Sequence, residues 1–183
     1  MLSLNKNYLA GLFRAMLLIA AMGLATPTAI AKGVYQTEED FLNEVFKNEI
    51  PETQTLILKG DLRKSVEKIL THPYSGFRIK YWENSTQSAW ILEEIGKEKN
   101  ITFGIAVSNQ KVSYANVLTF RETRGWEIRY PAFTEQYIGA SLSEERLTKD
   151  IDGVSGATLS VWAMTSVVKM ALLLDGYIKN EKK

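Results

Sequence analysis

The sequence predicts an α+β fold, an antiparallel sheet of about four strands packed with helices, as a single domain behind an export signal. Three observations predict it. Apolar residues recur at helical spacing over residues 37–50 and 60–70, they alternate with polar residues at strand spacing over 76–120, and an apolar run over 159–178 closes the chain. Runs of helix, then strands, then helix suit segregated layers better than an alternating parallel fold.

The first 31 residues read as a signal peptide. Lys6 and Arg14 precede an apolar run over 15–25, followed by Pro27 and the small-residue triplet Ala29-Ile-Ala31, which predicts cleavage near Ala31. A retained membrane anchor is the other reading, but the run is short against the about 20 residues that a span needs. The expectation is therefore a periplasmic or secreted protein.

Residues 32–100 form the N-terminal helical and first-hairpin part of the domain. Thr37 is a cap residue ahead of an acidic first turn, Phe41, Val45 and Phe46 follow at helical spacing, and Pro51 ends the helix. Leu62, Val66, Ile69 and Leu70 share one face of a second helix that stops near His72-Pro73, with His72 as a C-terminal cap and Arg63, Lys64, Glu67 and Lys68 as its solvated face. Phe77, Ile79 and Tyr81 alternate with Arg78, Lys80 and Trp82, a polar turn follows at Asn84-Ser-Thr, and residues 88–95 return as the next strand.

Residues 101–180 hold the stretches with a chemical signature. Ile101-Thr-Phe-Gly-Ile-Ala-Val107, a turn over 108–111, and Val112-Ser-Tyr-Ala-Asn-Val-Leu-Thr-Phe120 make the clearest hairpin. Pro131 opens a short helix with Phe133, Tyr137 and Ile138 at helical spacing and Gly139 as a stop, and a polar linker over 141–150 leads to Asp152-Gly-Val-Ser-Gly-Ala-Thr158. Turn and N-cap residue types there feed directly into the last apolar helix. The first amides of a helix lack intrahelical acceptors and carry partial positive charge, so this turn suits an anion, above all a phosphate. Gly156 and Ala157 leave room for a bulky ester, and Thr158 offers a hydroxyl at the same spot.

Asp152, Ser155, Gly156, Ala157 and Thr158 together resemble the covalent flavin-attachment motif of FMN-binding domains, such as the periplasmic flavin subunits of the sodium-pumping quinone reductase and the Rnf complex. At about 7% usage for each residue type, Ser-Gly-Ala-Thr arises by chance in about one chain in 200 of this length. The resemblance implies FMN as cofactor, joined by a phosphoester to Thr158 by a separate Mg-dependent flavin transferase. Phe120-Arg-Glu-Thr-Arg-Gly125 is similar to a second loop of that family, which lies near the flavin. Arg124 stands where the membrane-complex members have Pro. On this resemblance Glu122 and Thr123 offer hydrogen-bonding groups to the ring, Arg124 or Arg121 faces the phosphate or the ring's carbonyl edge, and Gly125 permits close approach. Trp126, Tyr130, Phe133 and Trp162 are aromatic residues able to stack on the ring; Trp162, one turn beyond Thr158, is equally suited to the core.

Composition narrows the chemistry. The chain has no cysteine, which removes disulfides, a lipid-anchored cysteine, attached haem and iron–sulfur clusters, and its one histidine leaves a His-rich zinc site or a Ser-His-Asp triad that depends on separate histidines little to work with. With 22 Lys and Arg against 21 Asp and Glu, no basic excess points to nucleic acid. Redox chemistry then requires a borrowed organic cofactor. The expected function is an electron carrier serving a quinol-linked membrane reductase or multihaem cytochromes. A flavin-dependent reductase acting on a small substrate and a flavin-free exported interaction domain are the alternatives.

Overall fold

The computed structural model describes residues 33–181; the signal-peptide expectation over residues 1–31 lies outside them. Residues 31–183 form one unit, so the segments on either side of residue 100 belong to the same compact domain.

Thr37 caps α1 (Glu38–Phe46), its hydroxyl accepting from the Asp40 amide at 3.0 Å, and three acidic residues occupy the first turn. Lys47 ends the helix in the left-handed conformation. The second amphipathic helix, α2 (Gly60–Leu70), ends the same way at Thr71. Its charged face is only partly solvated: Arg63 pairs with Glu67 at 3.0 Å and donates to the carbonyls of Tyr74 and Gly76, clamping the loop that follows.

The sheet has six strands rather than about four. Its order is β1 (Gly33–Val34), β6 (Lys111–Phe120), β5 (Asn100–Ser108), β4 (Ser88–Ile95), β3 (Arg78–Glu83), β2 (Gln54–Ile57), antiparallel throughout. The four predicted strands are the central ones. The two added at the edges are short, and pairing rather than local pattern defines them: β1 lies on Phe120 and Thr119, and β2 on residues 78–81. The 141–150 linker also folds, into a small hairpin of β7 (Leu142–Ser143) and β8 (Arg146–Leu147) turning on Glu144 and Glu145 at positive φ. Neither residue is a usual turn former, which hid the hairpin.

Residues 126–137 make a short helical stretch with α3 at Pro131–Thr134, and Gly139 follows it with φ +80°. The chain ends in α4 (Thr158–Glu181), long and apolar enough to cross a membrane by length and composition, yet mostly buried. Gly176 does not interrupt it. α4 packs across β4, β5 and α2 on one face of the sheet, where Trp90, Phe103, Ile105, Met164 and Val168 make the main core. α1 covers part of the other face with Phe41, Leu42, Val45 and Phe46 against Trp82, Ala89, Ala106 and Leu118. Phe41 fits there because residue 104 is glycine: a methyl would meet its ring at 2.7 Å.

One buried polar chain ties α4 to the sheet. Trp90 Nε1 donates to Ser88 Oγ at 2.9 Å, Ser88 Oγ donates to Asp175 Oδ1 at 2.7 Å, and Lys179 closes on Asp175 Oδ2 at 3.0 Å. Tyr137, equally buried, shares a 2.8 Å hydrogen bond with Thr165, and burial pushes its hydroxyl up to about 12.

Candidate functional site

The site lies where three distant pieces of chain meet: the β4–β5 turn, the exit of β6, and the start of α4. The exit of β6 is fixed by Glu122. Its side chain is buried, and one oxygen, Oε1, accepts the amides of Lys97, Glu98 and Lys99 at 2.5, 2.6 and 2.9 Å. Burial pushes this carboxyl up, but the three amides and Lys97 outweigh it, and the net shift is downward. Gly96 lets the turn wrap so closely; a methyl there would sit 2.9 Å from Glu122 Oε1. Glu122 is therefore committed to holding the turn rather than offered to a ring.

Gly125, at φ +84°, brings the same loop against α4. A methyl at residue 125 would stand 2.6 Å from Ser160 Oγ and 3.3 Å from the Ala157 methyl. The backbone then turns at Gly156, φ +78°, with open space where a Cβ would project. Ala157 donates to the Val154 carbonyl at 2.9 Å and accepts from Val161. The helix starts at Thr158, so the residue before it is Ala157, whose methyl cannot cap. Ser155, one of the turn and N-cap residue types ahead of the helix, is exposed and does not cap it, and among the described residues nothing accepts the amides of Thr158, Leu159 or Ser160.

These pieces enclose a cavity of about 500 Å³ lined by Lys97, Glu122, Thr123, Arg124, Gly156, Ala157, Thr158, Leu159 and Ser160. Of the predicted site residues it unites Thr158, Gly156, Ala157, Glu122, Thr123 and Arg124, with Gly125 packed behind. Lys97 and Ser160 were not predicted: one lies in a polar hairpin turn and the other inside an apolar helix, and only the fold brings them to the motifs. Asp152 stands off this wall, its amide donating to Gln136 Oε1 at 2.8 Å.

Other expectations are corrected. Arg121 turns away, donating to Asn100 O at 3.1 Å and Thr102 Oγ1 at 2.9 Å beside Glu93, because successive residues leaving a strand point to opposite faces. Phe133 is core, and Trp126 and Tyr130 lie with Tyr35 around the Arg129 guanidinium. Trp162 is not core: it is 64% exposed and lines the grooves on either side of α4. His72 reaches beyond a helix cap to Glu94, with Nε2 2.8 Å from Oε1.

Residues 96–173 match the family model of the FMN-binding domain. This stretch is similar to FMN-binding domains. It contains every wall of the cavity, from Lys97 to Ser160. A search of curated proteins found no match to the chain. The match supports a flavin-binding protein with FMN as its cofactor. The cavity fits the phosphate end of FMN: it has three helix amides without an acceptor, a glycine facing open space, and the cationic side chains of Lys97 and Arg124.

Proposed function

We propose that the protein is an exported electron carrier holding FMN through a phosphoester to Thr158 Oγ1. The observation that carries this reading is the placement of an exposed hydroxyl at the head of α4, beside three amides with no acceptor. Bound FMN supplies one- and two-electron redox chemistry to a chain without cysteine. The amides of residues 158–160 orient the phosphate, Lys97 and Arg124 balance its charge, and Gly125 and Ala157 set how closely the loop and helix approach. A bond, rather than affinity, keeps the cofactor in a compartment without a flavin pool.

Attachment requires a flavin transferase. The Thr158 hydroxyl displaces AMP from FAD, the new P–O bond replaces the pyrophosphate bond, and the chain gains FMN less one water. Electrons then pass between partners such as a quinol-linked membrane reductase and multihaem cytochromes. Intact mass and peptide mapping of protein exported from a flavinylating host test the proposal. FMN less water is expected on the peptide holding Thr158, and none in Thr158→Ala. A bare polypeptide mass from a host that loads other proteins overturns it. Ser155→Ala, outside the helix head, is expected to reduce loading less than Thr158→Ala.

A further inference from the structure

A second groove, of about 450 Å³, opens beside the phosphate cavity between the end of α2, the end of β4 and α4. Leu159 lines both, so the groove begins one residue from the attachment hydroxyl. Ile95, Leu159 and Trp162 bring exposed apolar surface to it, which suits a flat aromatic ring.

Its polar wall is the His72–Glu94 pair. Glu94 is 7% exposed, and its Oε1 accepts the Ile95 amide at 2.9 Å as well as facing His72 Nε2 at 2.8 Å. His72 Nδ1 lies 2.9 Å from the Pro73 carbonyl. Both ring nitrogens thus face acceptors, and only an imidazolium satisfies both. The Pro73 carbonyl and Glu94 accordingly hold His72 above its ordinary value of 6.5. The imidazole is the more exposed member of the pair, at 42%, so it is the member that a ligand in the groove reaches. Around the pair stand Lys169 from α4, on the groove, and Tyr74 from the loop behind. Burial first, and then Glu93 and Glu94, push the Tyr74 hydroxyl up. Glu93 is itself held by Arg121 and Thr102.

We propose that this groove receives the flavin ring and that the His72–Glu94 pair is its charge partner, holding a cation against the negative charge that reduction places there. The inference rests on the FMN reading above. In the two-electron step the oxidised ring takes two electrons from a reduced partner and one proton from solvent. The resulting anion is matched by the imidazolium, which keeps its own proton, and no bond to the protein forms or breaks. Coupling of this kind is reciprocal: protonated His72 favours the reduced ring by the same factor by which reduction favours protonated His72.

His72 is the only histidine in the chain, so its imidazole resonances are unambiguous in isotopically labelled protein freed of any tag. In the loaded protein, reduction by dithionite is expected to raise the His72 titration midpoint by about one pH unit, and the same reductant is expected to leave it unmoved in unloaded Thr158→Ala. The matching tenfold change should lower the potential of His72→Gln by about 30 mV for a two-electron couple, measured near about pH 6, where the wild-type ring is charged. His72→Lys, which restores a cation, should recover most of that loss. Protein whose mass shows FMN but whose His72 titrates alike in both redox states overturns this inference alone. Protein without FMN overturns the proposed function and this inference with it.

Discussion

Gly125 and Gly156 both sit at positive φ in the two motif loops, yet an added methyl meets opposite surroundings. At Gly125 it would press on Ser160 Oγ at 2.6 Å and the Ala157 methyl at 3.3 Å; at Gly156 it would meet nothing within 4 Å. Gly125→Ala should therefore combine left-handed strain with overpacking, about 2–4 kcal/mol together, measured by chemical denaturation. Ser160→Ala in that background should return part of the loss, because the two sites couple through one contact. Gly156→Ala should cost only the strain, about 1–2 kcal/mol. Its methyl lies on the cavity wall, however, so flavin loading measured by mass should fall by more than the stability change explains. The motif glycines were legible in the sequence, but their separate reasons were not: one faces a neighbour and the other faces space.

Among the elements, the β4–β5 turn depends most on one distant side chain. Lys97, Glu98 and Lys99 all donate to Glu122 Oε1, so the turn that carries a cavity cation is held by the residue leaving β6. The Glu122 carboxyl lies below its ordinary value of 4.5 despite burial. A carboxyl depressed in the folded state contributes its stability in full above the unfolded value and loses it as pH falls through the folded one. Glu122→Gln, which keeps an acceptor but removes the charge, should cost about 1–3 kcal/mol at neutral pH. Denaturation followed from pH 7 downward should show the gap between wild type and variant closing below pH 4.5. A gap that stays constant into acid would show that shape rather than charge holds the turn. The α4–β4 link predicts a second loss: Asp175→Ala strands Lys179 and the Ser88 hydroxyl, at a cost of about 3–5 kcal/mol. In the sequence Asp175 is one polar residue in an apolar run. Its partner in β4 is 87 positions away, beyond any local pattern.

At the scale of the molecule, the legible part was whatever is written locally: α1, α2 and the four central strands follow from their periods, and α4 from its apolar run. The parts that were not legible are those that exist only through long-range pairing, namely β1, β2, the β7–β8 hairpin and the closure of Lys97 onto the Ser-Gly-Ala-Thr turn. The same topology separates stability from function. The main core and the site share one face of the sheet through α4, whereas α1 closes a smaller core on the opposite face. Phe41 is fully buried in that smaller core against Gly104, so Phe41→Ala should leave a cavity and cost about 3–5 kcal/mol. Met164, equally buried, lies on α4 itself, and Met164→Ala should cost about 2–5 kcal/mol, in the same range. If the site is organised from the α4 face, the two variants diverge in flavin content per folded molecule, measured as FMN absorbance against intact mass after removal of unfolded protein. Phe41→Ala should load fully and Met164→Ala should load less, because only the second loosens the helix that presents Thr158. Equal loading defects would mean that attachment tracks global stability, and that the two faces of the sheet act as one cooperative unit.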